Sequence, residues 1–256
     1  MNNLEKYYNK FNEDKRLKTR HGQIEMAVCL HYINKYISGK EGLNILDVGA
    51  GTGAYTKVLC GMGHNVCSIE PVKKNLSVLK ENCPKATAIL GDARNLKKIE
   101  NNSQDLVLLF GPLYHLPKKE DRVAAIKEAV RVLKSGGILM NMFLMNEYAV
   151  LTHAFKEGAI GEALEQKQID ETFKIKDNED GLYNYSRIKD INELKKASGL
   201  ARKELVAIGC ADYMRETINK LDATDFEAFK EYMIYLSDKK EMLGASSHCL
   251  DILEKK

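Results

Sequence analysis

A glycine-rich turn follows a short apolar run in the first quarter of the chain. The run Asn44–Val48 leads into Gly49-Ala50-Gly51-Thr52-Gly53, and a helical pattern starts at Ala54. Glycine adopts positive φ without strain and lets a ligand approach the backbone, so this strand–turn–helix unit is suited to hold a nucleoside. The carboxylate of Asp47, just before the turn, would repel a pyrophosphate and attract an ammonium group. The pattern favours a cationic nucleoside over a diphosphate.

The competing interpretation is a dinucleotide site, as in a nicotinamide dehydrogenase. Its fingerprint is G-x-G-x-x-G, with the pyrophosphate on a helix N-terminus. Here the third glycine, Gly53, comes one position early and gives G-x-G-x-G. Together with Asp47, this spacing disfavours the dehydrogenase.

Two further acids follow the next two predicted strands. Glu70 comes 17 residues after Gly53, and Asp92 follows Gly91. Ligands of open α/β sheets bind at the carboxyl ends of the strands, where these acids would meet Asp47. We expect Glu70 to accept the ribose hydroxyls and Asp92 an adenine amino group, with the backbone N–H of Ala93 facing the ring.

Strands and helices alternate around these residues. The predicted strands are Asn44–Val48, Val66–Ile69, Thr87–Leu90, Asp105–Phe110, Ile138–Leu144, Lys203–Ile208 and His248–Leu253. The predicted helices are Ile24–Ile37, Ala54–Met62, Val72–Asn82, Lys119–Leu133, Glu147–Ile169 and Ile191–Ala197. Apolar strands that alternate with helices indicate a doubly wound, mostly parallel α/β sheet with helices on both faces.

The chain divides into a lead-in and one larger domain. Residues 1–40 are predicted to form an N-terminal helical lead-in or lid, and residues 41–256 the α/β domain. Within that domain we expect an insertion at about 147–188, covering the open end of the sheet, and a helical segment at about 212–243.

Composition restricts the partners. The 39 basic and 36 acidic residues are interspersed and give a formal charge of +3, which does not favour nucleic acid. The polar N-terminus does not resemble a signal peptide, and no apolar run reaches the roughly 18–20 residues that span a bilayer. Six scattered cysteines predict reduced thiols, a cytoplasmic location and no metal site. A monomer and a homodimer both remain open.

These motifs, with Leu133-Lys134-Ser135-Gly136-Gly137, resemble the class I S-adenosylmethionine-dependent methyltransferases. Within that class the chain is similar to the ubiquinone/menaquinone-biosynthesis-like small-molecule subgroup (methyltransferase type 11/25-like). The resemblance implies S-adenosyl-L-methionine as cofactor, S-adenosyl-L-homocysteine as product, and a seven-stranded Rossmann-like sheet whose last strand is antiparallel. The expected cofactor site is Asp47, Gly49, Ala50, Gly51, Gly53, Glu70, Pro71, Asp92, Ala93, Phe110 and Gly111, with Tyr8 and Arg20 from the lead-in.

The segment Phe110–Leu116 follows the fourth predicted strand, where the acceptor would meet the methyl group. Amino-directed nucleic-acid methyltransferases resemble [DNS]-P-P-[YF] here, but Gly111 takes the polar position and Leu113 replaces the second proline. A base-amine target is therefore disfavoured. Tyr114 and His115 are the candidate catalytic groups, and His115 could act as a base for an acceptor that arrives protonated. The alternative for His115 is a side chain hydrogen-bonded to its own loop.

The lead-in gathers aromatic and basic residues. They are Tyr7, Tyr8, Phe11, Arg16, Arg20 and His21. An aromatic ring here could lie near the methionine end of the cofactor, and Arg16 or Arg20 could pair with a carboxylate. An amphipathic helix with a solvated face is the alternative.

The predicted function is methyl transfer from S-adenosylmethionine to a small molecule by direct in-line displacement, without metal. Three alternatives stay open. The chain could be a non-catalytic sensor of the cofactor, a partner subunit, or a nucleic-acid or protein methyltransferase.

Overall fold

A computed structural model describes residues 3–10, 17–179 and 181–256. Among these residues, the first part of the chain contains the helices α1 (Asn3–Lys10) and α2 (Arg20–Ile37). Then follow β1 (Asn44–Val48), α3 (Ala54–Gly61), β2 (Asn65–Glu70), α4 (Lys73–Asn82), β3 (Thr87–Leu90), β4 (Gln104–Leu109), α5 (Lys119–Val132) and β5 (Leu133–Leu144). The second half contains α6 (Asn146–Ala149), α7 (Ile160–Glu165), α8 (Ile188–Ser198), β6 (Ala201–Ala207), α9 (Arg215–Ile218), α10 (Ala223–Ser237) and β7 (His248–Glu254).

Seven strands form one sheet in the order β3-β2-β1-β4-β5-β7-β6. The pairs from β3 to β5 are parallel, whereas β7 runs antiparallel to both β5 and β6. The predicted seven-stranded, mostly parallel sheet with an antiparallel last strand is confirmed.

Alternate residues of the strands point into two separate cores. In β4, Leu106 and Leu108 pack with α2, α3 and α10 on one face, and Val107 and Leu109 pack with α5 and α8 on the other. All four leucine and valine side chains are almost fully buried. A strand that buries both faces needs apolar residues throughout, which explains the continuous apolar runs of the sequence.

Three predicted spans needed correction. The helix predicted over Glu147–Ile169 is divided into α6, a π-helical segment (Val150–Lys156) and α7, because Gly158 takes φ +76° and ends the helical run. The helical region 212–243 is likewise interrupted, and Asp222 caps a new helix by accepting from the N–H of Asp225. Strand β5 begins at Leu133 instead of Ile138.

No helix of the described ranges is long and apolar enough to cross a membrane. All six cysteines belong to the described residues and are free thiols.

Candidate functional site

A cavity of about 500 Å³ opens at the carboxyl ends of β1, β2, β3 and β4. This volume is typical of a small-molecule site. Eleven of the thirteen residues predicted for the cofactor line it: Tyr8, Asp47, Gly49, Ala50, Gly51, Glu70, Pro71, Asp92, Ala93, Phe110 and Gly111. The two predicted catalytic residues, Tyr114 and His115, line it as well.

The backbone of the glycine turn forms one wall of the cavity. Gly49 has φ +76°, and a Cβ at this position would lie 2.8 Å from Cδ of Pro112. A side chain would therefore collide with the segment after β4, so both the backbone conformation and the close approach require glycine. The result is a backbone surface that a ligand can approach directly.

Gly53 is the first of the two predicted cofactor residues outside the lining. Its φ is +91°, and a Cβ would lie 2.8 Å from Sγ of Cys83 and 3.1 Å from Cγ of Leu79. The thiol of Cys83 also donates to the carbonyl of Gly53. The third glycine of the motif thus allows the turn to pack against α4.

Arg20 is the second predicted cofactor residue that does not line the cavity. Its guanidinium donates to the carbonyls of Ile218 and Leu221 at 2.9 and 2.6 Å and lies 4.7 Å from the ring centroid of Phe226. These contacts fix α2 against α9 and α10, outside the cavity. The placement gives no support to the prediction that Arg20 pairs with a carboxylate of the cofactor. Phe11 and Arg16, named with it, lie outside the described residues.

Asp47 and Glu70 are buried acids, 2% and 3% exposed. The hydroxyl of Thr56 donates to Oδ2 of Asp47 at 2.7 Å. Burial raises the pKa of Asp47 to about 6, and the hydrogen bonds from Thr56 oppose the rise only in part. Burial likewise raises the pKa of Glu70 to about 7, against the lowering effect of the N–H groups of Val72 and Gly51. A positively charged ligand would favour the ionised form of both acids.

Asp92 is paired with an arginine that the sequence analysis did not single out. Nε and Nη2 of Arg94 donate to its two carboxylate oxygens at 2.9 and 2.6 Å, and the backbone N–H of Arg94 donates to Oδ1 at 2.8 Å. Partial burial would raise the pKa of Asp92, but these hydrogen bonds and the charge of Arg94 outweigh it, and the pKa is lowered. Nη1 of Arg94 also donates to Asp121. The carboxylate is held ionised in one orientation.

The buried polar residues Glu25 and Asn75 of the lining were missed as well. Glu25 of α2 is 6% exposed, and Asn75 of α4 is 5% exposed and lies 3.4 Å from Glu70 through its amide nitrogen. Glu25 falls on the apolar stripe of its helix, three residues before Val28 and seven before Tyr32. A charge on the buried face of a helix is the signal that could have identified it.

His115 lies in a 3₁₀ turn, Pro112–His115. Its Nδ1 is 2.9 Å from the carbonyl of Leu182, and its Nε2 is 3.0 Å from the hydroxyl of Tyr8. Burial lowers its pKa to about 4, and the bond to Leu182 offsets this only in part. A base this weak, with both ring nitrogens engaged, is poorly suited to accept a substrate proton. The geometry resembles the alternative expected for His115, a hydrogen-bonded loop residue.

Tyr114 contributes its ring to the cavity beside His115. The backbone around it is held by Asn184, whose N–H donates to the carbonyl of Tyr114. The amide nitrogen of Asn184 donates to the carbonyls of Leu113 and Leu116 at 2.9 and 3.0 Å. A residue of the insertion thereby fixes the shape of the turn after β4.

Comparisons with known proteins agree with this geometry. Residues 46–141 match the Methyltransf_11 family model, described as a methyltransferase domain. An uncharacterized methyltransferase of Mycobacterium tuberculosis is 37% identical over 95 residues, which are 37% of this chain and 37% of that protein. A protein of Homo sapiens named probable tRNA methyltransferase 9B is 33% identical over 105 residues, 40% of this chain and 21% of its own length. The chain thus spans little more than a third of the first of these relatives.

Two solved structures share the fold. The N-methyltransferase NodS from Bradyrhizobium japonicum, in complex with S-adenosyl-L-homocysteine, has a TM-score of 0.61 at 15% identity and covers 99% of both chains. A SAM-dependent methyltransferase from Methanosarcina mazei has a TM-score of 0.60 at 16% identity, covering 88% of this chain and 96% of the other. Residues 46–141 thus match a methyltransferase domain, and the fold of the described chain is that of these S-adenosylmethionine-dependent methyltransferases.

Proposed function

We propose that this protein transfers the methyl group of S-adenosylmethionine to a small-molecule acceptor by direct in-line displacement. The observation that carries the proposal is the cavity of about 500 Å³, into which Asp47, Glu70 and Asp92 face from the ends of three neighbouring strands. Carboxylates accept hydrogen bonds from ammonium and hydroxyl groups, and the glycine turn leaves space against the backbone. The residues present therefore fit an aminoacyl nucleoside.

Each acid has a distinct task in this proposal. Asp47 attracts the amino group of the cofactor, Glu70 accepts the ribose hydroxyls, and Asp92, held by Arg94, accepts the adenine amino group. When bound, S-adenosylmethionine supplies an electrophilic methyl group on a sulfonium. The protein's contribution is to align the acceptor, which can lower the barrier by roughly 7–11 kcal/mol. The rings of Tyr8 and Tyr114 offer aromatic faces toward positive charge.

The covered shape of the cavity supports a small acceptor. Leu4 and Tyr8 of α1 line one side of it, and Gly181 and Leu182 of the insertion line another. The presence of these two segments beside the strand ends favours a small acceptor over a folded nucleic acid or protein. We therefore place the acceptor among small molecules, as in the ubiquinone/menaquinone-like subgroup.

The charges of the lining support an uncharged or cationic acceptor. Its described acids are Glu25, Asp47, Glu70, Asp92, Asp121 and Glu179. Among the described lining residues Arg94 is the one lysine or arginine, and Asp92 and Asp121 already pair with it. An anionic acceptor would meet net repulsion at this site.

The test has two steps. Calorimetry with S-adenosylhomocysteine should give saturable binding to the full chain, and absence of binding would overturn the proposal. A screen of amines, phenols and thiols, with S-adenosylhomocysteine release as the readout, should then identify a substrate. Turnover on tRNA alone would favour a nucleic-acid methyltransferase, and binding without turnover on any acceptor would favour a sensor or a partner subunit.

A further inference from the structure

His115 is the point at which two covering segments meet over the cavity. One is helix α1, which contributes Leu4 and Tyr8 to the lining, and the other is the segment 181–184, which contributes Gly181 and Leu182. The imidazole contacts both of them, at 3.0 Å from the hydroxyl of Tyr8 and 2.9 Å from the carbonyl of Leu182. These partners are 107 and 67 residues away in the chain.

The protonation of the ring follows from its partners. A carbonyl oxygen only accepts hydrogen bonds, so Nδ1 carries a proton and donates to Leu182. In the neutral ring Nε2 then has a lone pair and accepts from the hydroxyl of Tyr8. A doubly protonated ring could donate its second N–H to that hydroxyl once the hydroxyl had turned. Burial of the ring disfavours this charged form and lowers its pKa, so the closed arrangement favours the neutral imidazole.

Aromatic packing completes the junction. The His115 ring lies 5.0 Å from that of Tyr183, 4.9 Å from that of Tyr114 and 5.7 Å from that of Tyr8, measured between centroids. Tyr7 and Tyr183 also meet edge to face at 6.2 Å, so the two covering segments contact each other directly. Such pairs stabilise the contact between the rings beyond the burial of their area.

We propose that His115 is a positioning residue that, in its neutral form, holds α1 and the segment 181–184 closed over the bound cofactor. The inference rests on the proposed function, because closure matters only if S-adenosylmethionine occupies the cavity. The cofactor and its product leave when the bonds to Tyr8 and Leu182 break. Closure of this kind excludes water and keeps the reacting groups aligned.

Closure of α1 and the segment 181–184 should depend on pH, because the groups that face the His115 ring are uncharged. From α1 it meets the phenol of Tyr8, from its own turn the phenol of Tyr114, and from the insertion the phenol of Tyr183 and the Leu182 carbonyl. Burial lowers the pKa of His115 to about 4 in this closed arrangement, from an ordinary value of 6.5. Closure is therefore fully available above pH 6.5 and weakens as pH falls toward 4.

Release of S-adenosylhomocysteine from the full chain, measured by stopped flow, tests the proposal. Tyr8→Phe removes only the hydroxyl and should speed release about three- to tenfold, the loss expected for one hydrogen bond. His115→Phe keeps an aromatic ring, removes both bonds and should speed release further. Tyr213→Phe is the matched control, because its hydroxyl donates to the carbonyl of Ala245 outside the cavity. Circular dichroism checks that each variant is folded.

The pH profile adds a readout that a merely structural histidine would not change. Protonation of His115 should by itself make release about tenfold faster at pH 5.5 than at pH 8, since the open state alone binds the extra proton. Dividing the release rate of the wild type by that of His115→Phe at each pH isolates the effect of the histidine, because both proteins retain Asp47 and Glu70. The proposal would be overturned by equal release rates in Tyr8→Phe, Tyr213→Phe and wild type. It would also be overturned by pH profiles of release that superimpose for the wild type and His115→Phe. Failure of the wild type to bind S-adenosylhomocysteine would instead overturn the proposed function.

Discussion

The backbone amide of Gly51 donates a 2.8 Å hydrogen bond to Oε2 of Glu70. Oε1 of the same carboxylate accepts from the N–H of Val72 at 2.9 Å. Glu70 thus joins the glycine turn after β1 to the start of α4, and it is 3% exposed. One side chain fixes the two segments between which we place the nucleoside, so its charge state affects both the turn and the ligand.

Binding of S-adenosylhomocysteine should therefore release protons near neutral pH. Burial raises the pKa of Glu70 to about 7 and that of Asp47 to about 6, so the empty site holds protons that an ammonium group and hydroxyl donors displace. Both pKa values fall on binding, and affinity should rise as pH increases from 5.5 to 7.5. Calorimetry at pH 6.5 in two buffers of different ionisation enthalpy measures the release.

The same titration in His115→Phe separates these acids from the histidine, which also loses protons on closure. Release should persist in this variant with a smaller stoichiometry. Proton uptake, or an affinity that stays constant across this pH range, would contradict the assignment of the two acids to the ligand.

Arg94→Ala should weaken binding of S-adenosylhomocysteine by about tenfold, since the arginine's charge-assisted bonds no longer orient the carboxylate of Asp92. Arg94→Lys should restore little of this, because an ammonium group cannot reproduce the paired contacts of Nε and Nη2. Arg215→Ala removes an arginine–aspartate pair away from the cavity and serves as the control. Calorimetric affinities equal to wild type in both Arg94 variants would rule out a positioning role.

Gly53→Ala should destabilise the protein more than Gly63→Ala. An alanine would adopt a similarly strained φ at either position, +91° at Gly53 and +87° at Gly63. Of the two, only Gly53 has neighbours within 4 Å of the added Cβ. The strain costs roughly 1–2 kcal/mol at either position. Overpacking against Cys83 and Leu79 adds about 1–3 kcal/mol to the loss in free energy of unfolding at Gly53 alone.

Urea unfolding measures the difference between the two glycine variants. Cys83→Ala combined with Gly53→Ala should recover part of the loss, since the nearest atom to the new Cβ is removed. Equal midpoints for Gly53→Ala and Gly63→Ala would show that conformation alone, and not packing against α4, demands the third glycine of the motif.

The glycines and acids that line the cavity were predictable because their signals are local. The turn Gly49–Gly53 and the acids Glu70 and Asp92 each stand at a fixed distance from a predicted strand, and parallel strands bring such ends together. The packing of Gly53 against Cys83 was not predictable, since it depends on how α4 lies against the turn. Arg94 stands only two residues from Asp92, but its guanidinium is also held by Asp121, 27 residues further along.

The contacts of α1 and the segment 181–184 with His115 were harder to predict from the sequence. His115 was singled out for its ordinary pKa, whereas its burial and its contacts with Tyr8 and Leu182 come from segments far away in the chain. The break of the helix at Gly158 likewise required knowing that this glycine takes positive φ. A glycine in a helical pattern is compatible with both outcomes.

Asn184→Asp should destabilise the protein more than Asn184→Ala, although aspartate is nearly the same shape as asparagine. The amide nitrogen of Asn184 donates to the carbonyls of Leu113 and Leu116, and the side chain is 4% exposed. Asn184→Ala leaves two carbonyls without this donor, at a cost of about 1–3 kcal/mol for each one that stays dry. Asn184→Asp adds a carboxylate that faces the same two oxygens and has no proton to offer at neutral pH.

The difference in melting temperature between Asn184→Asp and Asn184→Ala should depend on pH. Protonation gives the carboxyl of Asn184→Asp one donor, so its melting temperature should approach that of Asn184→Ala as pH falls from 8 to 5, whereas the alanine variant should follow the wild type across this range. Differential scanning calorimetry at both pH values measures this convergence. A gap between the variants that does not change with pH would mean that the charge of the carboxylate does not account for it, and that the amide's donors are not what fixes the turn carrying His115.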